Sequence, residues 1–322
     1  MTTLKVRVLG LTWRHAWTAP RPEFRTQESR RLPVPYALAD GLLRSRSAFV
    51  RRAVGSVIER FCATRLPAMV ARYPDGRAFF LRSGDATYAH VFTTGQHEPA
   101  ETRLVQRLLR PGEFALDVGA NHGWFAIAMA SRVGRTGMVW AVEPLRQVAE
   151  VLNINLRLNP QLPLRVIELA LGETRRIAQI HAFAGLPHGH ASLSTLGRSD
   201  FVSHSVEVTT LDDIVQRAGA APTVVKIDVE GSELDVLRGA RETLSAEDAP
   251  LLLVEINYET AAAFGHRPRD LVDYVESTGS YATHRVEKHS TEPETAPDEA
   301  PHGGMWLFVP DHHRERLTKL DD

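Results

Sequence analysis

The stretch Phe114-Ala115-Leu116-Asp117-Val118-Gly119-Ala120-Asn121-His122-Gly123 decides the fold. Phe114–Val118 is apolar apart from Asp117, which suits a strand buried on both faces. Two glycines follow four residues apart, and the apolar stretch Trp124–Arg132 then reads as a helix that Gly134 can cap at its C-terminus. Strand, tight turn, helix is the opening unit of a parallel sheet covered on both faces.

Reading outward from this unit, the alternation continues. Met138–Val142 is a second strand, and a helix runs from Pro144 to about Leu158, where Asn159-Pro160 stops it. Leu164–Leu169 is a third strand. Residues 174–208 break the rhythm with two strand-like pieces, Ile177–Phe183 and Val206–Thr209, around the loop Gly185–Asp200. Thr210 with Asp213 caps a short helix, Thr223–Asp228 is a fourth strand, Ser232 opens a helix to about Leu244, and Pro250–Ile256 is a fifth strand. Arg269–Ser277 is helical. Tyr281–Val286 and Met305–Val309 are strand-like and span the acidic insertion Thr291–Ala300.

Upstream, Leu104, Val105, Leu108 and Leu109 mark a helix ending at Arg110-Pro111-Gly112. Tyr73-Pro74-Asp75-Gly76-Arg77 is the turn of a hairpin, and Leu42–Phe61 has a helical period. The first ~35 residues, with scattered prolines, read as an arm. The expected organisation is an α/β fold with a basic N-terminal arm, helix and hairpin over residues 1–90 and one catalytic domain over 91–322.

The net charge of −1 in 322 residues hides a cancellation. Residues 1–66 carry 13 Lys and Arg against four Asp and Glu, a net +9, which leaves −10 for residues 67–322. Arginines in the basic segment alternate with apolar positions and form no recognisable nucleic-acid module, so a packed helix or a subunit interface is expected there, with no nucleic-acid partner. With 43% hydrophobic residues the chain can bury a sizeable core, which excludes disorder as its main state. Cys62 is the only cysteine, so neither an intrachain disulfide nor a cysteine metal cage is available. Val8–Trp13 is too short for a signal-peptide core, and no run of about 18 apolar residues exists. A soluble, cytoplasmic protein without a membrane partner is expected.

Three signals carry chemistry. The 117–123 turn lets backbone approach a ligand closely and presents helix-start N–H groups to an electron-rich group. It lacks the middle glycine of a dinucleotide fingerprint and opens with an acid, which would repel a pyrophosphate. Asp117 can instead hold an ammonium group, directly or through water, which points to the amino-acid end of S-adenosylmethionine. Glu143, at the tip of the second strand and 20 residues beyond Gly123, suits ribose hydroxyls; read alone it could equally serve as a helix N-terminal charge. Lys226-Ile227-Asp228-Val229-Glu230-Gly231-Ser232-Glu233 ends the fourth strand, so Asp228 and Glu230 face the same crevice, whereas Ser232 and Glu233 are read as starting a helix.

Glu98, Pro111-Gly112, the 117–123 turn, Glu143-Pro144, Ala170-Leu171-Gly172, Thr210-Leu211-Asp212 and Val225–Glu233 together resemble the FkbM family of S-adenosylmethionine-dependent methyltransferases over about residues 90–257. The resemblance implies a class I methyltransferase, Rossmann-like fold: a seven-stranded sheet with its last strand antiparallel. It also implies cofactor binding by Asp117, Gly119, Asn121, Gly123 and Glu143. Glu98, Ala170, Ser192 and Asp228 complete the expected cofactor set, and the reaction implied is O-methylation of a small natural product or sugar.

An alcohol acceptor must lose its proton, so a general base is expected within hydrogen-bond reach. Glu230 is the first candidate, Asp228 the second and Glu255, at the end of the fifth strand, the third. These three could alternatively hold a divalent ion, but their spacing fits no metal signature and no metal is expected. His122 either shapes the turn or touches a ligand, and His188 and His190 lie in the 185–200 loop, which is either solvated or a lid. A nicotinamide oxidoreductase and a non-catalytic binding module are the competing functions, and a homo-oligomer through the N-terminal segment is a further expectation.

Overall fold

The computed structural model describes residues 22–26, 34–45, 47, 50, 53–54, 68–82, 86–183, 191–286 and 304–318. Strands are β1 (Glu23–Thr26), β2 (Met69–Arg72), β3 (Ala78–Leu81), β4 (Phe114–Val118), β5 (Met138–Val142), β6 (Leu164–Ile167), β7 (Ala170–Leu171), β8 (Arg176–Phe183), β9 (Ala191–Ser192), β10 (Phe201–Thr209), β11 (Val224–Ile227), β12 (Leu251–Ile256), β13 (Tyr281–Arg285) and β14 (Gly304–Pro310). Helices are α1 (Val34–Leu43), α2 (Ala86–Thr94), α3 (Pro99–Leu108), α4 (Trp124–Val133), α5 (Arg146–Leu158), α6 (Leu211–Ala218), α7 (Glu233–Arg238), α8 (Arg241–Ser245), α9 (Tyr258–Ala263), α10 (Pro268–Thr278) and α11 (Glu315–Thr318).

β4 is buried throughout and pairs in parallel with β5 on one side and β11 on the other. The sheet built on it has the order β6-β5-β4-β11-β12-β14-β13, with β14 alone running antiparallel to its neighbours. This is the seven-stranded, Rossmann-like class I sheet that the resemblance implies, with six strands running in one direction and placing their carboxyl ends along one edge.

Alternation along the strands divides the core. Leu116, Val118, Val142, Val225, Ile227 and Val254 face α6, α7 and α10, while Ala115, Ala141, Val224 and Leu253 face α3, α4 and the N-terminal hairpin. Asp117, Lys226 and Glu255 occupy positions of the second set, so three ionisable side chains enter an apolar layer.

The expected hairpin is present: Tyr73 and Arg77 close it with a 2.8 Å N–H···O bond, and β2 pairs with β3 in register. Its apolar residues Met69, Phe79 and Leu81 enter the same core as α3 and α4. The arm expected over the first ~35 residues is corrected at Glu23–Thr26, where β1 pairs antiparallel with β2, and at its end, where α1 begins; residues 1–21 and 27–33 lie outside the described residues. The β1–β2 pairing joins residues more than forty positions apart, which no local pattern reveals. The helix expected over Leu42–Phe61 lies mostly outside the described residues, as do Cys62, His188, His190 and the 291–300 insertion.

Three further corrections lie between residues 86 and 263. The helix expected over Ser232–Leu244 divides into α7 and α8 at Gly239, which packs against the Gly172 carbonyl oxygen and gives its own carbonyl to Asp212 N at 3.0 Å, while the Asp212 carboxylate accepts from Glu242 N and Thr243 N; these bonds replace those of a continuous helix. α2 and α9 were not expected; α9 is capped by the Asn257 side chain, which accepts from Glu259 N at 3.0 Å. The two strand-like pieces of residues 174–208 are β8 and a longer β10, paired antiparallel and joined by β7 and β9 into a four-stranded sheet beside the main one.

Asn155 of α5 and its C-cap Asn159 tie the N-terminal sheet to this helix, and Asn155 extends the tie to the 117–123 turn. Asn159 Oδ1 accepts from Ala78 N at 2.9 Å and its Nδ2 donates to Ala78 O at 2.7 Å. Asn155 Oδ1 accepts from Phe80 N at 2.6 Å, while its Nδ2 donates to the His122 carbonyl at 2.8 Å. Asn155 is 1% exposed. Replacing Asn155 by Ala is expected to destabilise the fold by about 1–3 kcal/mol for each buried group left unpaired, measured by urea unfolding.

Candidate functional site

The carboxyl ends of β4, β5 and β11 open into a cleft of about 640 Å³, including open solvent at its mouth. Gly119 and Asn121 form its floor, Glu143 and Pro144 one side, and Asp228, Val229 and Glu230 the other. Leu169, Ala170 and Leu171, with Ile180, Ala191 and Leu193 of the four-stranded sheet, form an apolar wall.

The turn after β4 follows from its residues. Gly119 takes φ +74°, and a Cβ on it would meet the Asp228 carbonyl oxygen at 1.8 Å, so the tips of β4 and β11 touch backbone to backbone. Gly123, at φ +87°, starts α4 without a side-chain cap. Asn121 adopts φ 50°, donates its backbone N–H to Glu143 Oε2 at 3.0 Å, and has a buried Oδ1 with no hydrogen-bond partner among the described residues. Glu143 Oε1 accepts from Leu145 N at 2.9 Å. Burial raises the Glu143 carboxyl to about 7 despite these two backbone donors.

Below the cleft, charge is arranged around Lys226. Asp117 is fully buried and directly opposite Lys226 in the β4–β11 register, with Nζ 3.6 Å from its Oδ1. Asp228 lies 3.0 Å from the same ammonium group, which also sits over the Phe125 ring. Burial lifts Asp117 to about 6 even so. Burial also works against ionised Asp228, but Lys226 and a hydrogen bond from Glu255 outweigh it and hold Asp228 below the ordinary carboxylate range. Repulsion from Asp228, followed by burial, raises Glu255, so the pair shares one proton and Glu255 carries it. Lys226 is held above its usual value because the attraction of Asp228 and Asp117 exceeds the cost of burying it.

Gly119, Asn121, Glu143, Ala170, Asp228 and Glu230 therefore converge on the cleft. Asp117, Gly123, Ser192 and Glu255 do not line it. Asp117 faces Lys226, and Ser192, 1% exposed, donates its hydroxyl to the Glu230 carbonyl at 2.8 Å. Glu98 begins α3 at φ 41° and acts electrostatically on Lys226 and Glu255. His122 is buried beside the cleft with its carbonyl bound by Asn155. Among the described residues, no group of three or more His, Cys, Asp or Glu side chains is arranged to hold a metal ion.

Lys226 and Glu233 carry more than sequence reasoning assigned to them. A lysine inside an otherwise apolar strand was the available signal for Lys226, since such a charge requires a buried partner. Glu233 begins α7, but its carboxylate also accepts from Val229 N at 3.1 Å and Gly231 N at 3.0 Å. Ser232 does not cap that helix; its hydroxyl donates to Val229 O at 3.3 Å.

The methyltransferase FkbM domain model matches residues 117–281, just over half of the chain. The chain belongs to the FkbM methyltransferase family. It is a methyltransferase, its cofactor is S-adenosylmethionine, and the nicotinamide reading falls. No curated protein matches the chain in sequence.

Among solved structures, the family member is similar to precorrin-6y C5,15-methyltransferase from Geobacter metallireducens at 14% identity, over 66% of this chain and 87% of that one, with a TM-score of 0.39. It is similar to Aeropyrum pernix fibrillarin at 13% identity, over 75% and 93%, with a TM-score of 0.38. A Thermotoga maritima S-adenosylmethionine-dependent O-methyltransferase gives 12%, 79% and 80%, and 0.36. Likenesses this low add nothing to the sheet order described above.

Lys226→Met would leave two inward-facing carboxylates without their counter-charge. A loss of about 3–5 kcal/mol at neutral pH is expected. The variant's acids titrate at higher pH than the wild-type's, so its folded state takes up protons first as pH falls and the deficit narrows toward pH 5. Urea unfolding of both proteins across pH checks this.

Proposed function

We propose that this methyltransferase transfers the methyl group to a hydroxyl of a small natural product or sugar, with Glu230 as general base. The observation that carries the proposal is the placement of Glu230. Its carboxylate belongs to a residue held at φ 54° on the cleft wall, next to Asp228, whose negative charge is already engaged by Lys226 and Glu255. A base adjacent to the cofactor cleft is what an alcohol acceptor needs and a sulfur acceptor needs far less.

The residues present fit S-adenosylmethionine. The buried Asn121 Oδ1, without a hydrogen-bond partner among the described residues, and the backbone of the Gly119 turn suit the amino-acid end, and Glu143 suits ribose hydroxyls. Leu169, Ala170, Leu171, Ile180 and Leu193 supply an apolar wall for a purine. Asp117, buried against Lys226, contributes through that ion pair, and Gly123 through the turn it permits. When bound, the cofactor supplies an electrophilic sulfonium methyl group. The protein orients the acceptor, excludes water, and takes the hydroxyl proton onto a Glu230 carboxylate oxygen.

Labelled S-adenosylmethionine incubated with a panel of alcohols, sugars and amines should release S-adenosylhomocysteine with hydroxyl acceptors, detected by mass shift of the product. Preference for amines would overturn O-methylation, and failure to bind either cofactor form would overturn the cofactor cleft. Glu230→Gln is expected to lower kcat by about 100-fold or more while leaving cofactor affinity intact.

Ribose hydroxyls donate to the ionised form of Glu143, so binding below its pKa of about 7 must expel a proton. Affinity for S-adenosylhomocysteine should rise by up to about tenfold per pH unit as pH approaches 7 from below, then level off. Calorimetry in buffers of different ionisation enthalpy checks the proton release, and Glu143→Gln should abolish both the release and the pH dependence.

A further inference from the structure

The backbone of Val229–Gly231 is held by side chains, some from the residues that follow it and some from distant parts of the chain. Glu233 accepts from the N–H groups of Val229 and Gly231, and the Ser232 hydroxyl donates to Val229 O. His266 Nε2, beyond α9, donates to Gly231 O at 3.2 Å. Ser192 Oγ, in β9, donates to Glu230 O at 2.8 Å. Thr260 and Phe264 also fill the space beside Gly231, where a Cβ would lie 2.8 Å from the Phe264 ring.

Of these groups, Ser192 alone comes from the four-stranded sheet. It lies 38 residues from Glu230 and is anchored by pairing with His181 of β8. Its neighbours Ala191 and Leu193 line the cleft, whereas Ser192 itself is turned away from it and onto the Glu230 carbonyl. A left-handed glutamate has no intrinsic reason to hold that conformation, so the surrounding bonds must impose it.

We infer that Ser192 is a positioning residue: its hydroxyl latches the Glu230 turn to the four-stranded sheet and so fixes where the Glu230 carboxylate stands, without contacting the cofactor. The inference rests on the reading of Glu230 as the base for its catalytic consequence, while the latch itself is a separate physical claim. It makes β9 serve two purposes at once, as a wall of the cofactor cleft and as the brace of the base. A cofactor seated against Ala191 and Leu193 would then stabilise the same strand that holds Glu230 in place.

Hydrogen–deuterium exchange of the full-length protein, followed in peptides covering residues 227–234, tests the latch without an acceptor. Ser192→Ala should speed exchange there by about tenfold, the equivalent of one net hydrogen bond. Exchange in β8 and β10 should stay unchanged, and affinity for S-adenosylhomocysteine should stay within about twofold. Ser192→Thr, which keeps the hydroxyl, should restore wild-type exchange. Ser192→Cys, close in volume but a weak donor, should fall between them and serves if the alanine variant does not fold.

Unchanged exchange in both the alanine and cysteine variants would overturn the latch. So would a loss of cofactor affinity of tenfold or more with unchanged exchange, which would make Ser192 a cofactor ligand. With an acceptor from the screen above, Ser192→Ala should lower kcat by about tenfold at constant KM and add no further loss to Glu230→Gln. Full turnover by Glu230→Gln would overturn the base reading and leave the exchange result to decide the latch alone.

Discussion

The ammonium group of Lys226 is the interaction on which the site depends. Three neighbouring strands bring Asp117, Lys226, Asp228 and Glu255 to one face of the sheet near its carboxyl edge. Without the lysine, the acids could not share so small a volume; with it, one carboxylate stays charged and another holds a proton. Replacing the group by packed hydrocarbon would cost the protein little stability. Its position beside the cleft suits a protein whose cofactor is a cation.

The glycine turn beside this charge group is rigid for reasons remote from it. Backbone contact between Gly119 and Asp228 locks β4 to β11, and the Asn155 side chain carries the restraint through His122 to β3. The described part of the N-terminal segment is thereby a structural partner of the cleft, since its hairpin shares a core with α3 and α4 and its edge is bonded to the helix that follows Glu143. The charge contrast between the two segments does not prevent this, because the contacts are made by apolar residues and amides.

Legibility in the sequence followed the range of the forces involved. The parallel sheet, the 117–123 turn and the 228–233 strand tip could be read because local periodicity and glycine spacing specify them. Thr210 and Asp213 form the expected capping box, and Gly134 caps α4 as expected. β1 escaped because its partner is distant, and the α7–α8 break escaped because Gly239 meets Gly172 only in the folded chain. At the site, the acids were visible as residue types at strand ends. Their division of labour was not, since it depends on Lys226, on the proton shared with Glu255, and on Ser192 reaching across from another sheet.

Asn155 of α5 and its C-cap Asn159 together have a consequence for how the protein behaves in a crowded solution. β3 is the outer strand of a three-stranded sheet, and an outer strand normally offers its bare N–H and C=O groups as a template for a second chain. Here Asn155 and Asn159 take up Phe80 N, Ala78 N and Ala78 O, so amide side chains stand where another molecule's backbone would bind. A helix and its C-terminal cap thus seal the margin of a sheet without adding a strand, and Asn155, which also holds the 117–123 turn through His122, takes part in keeping that edge from recruiting neighbours.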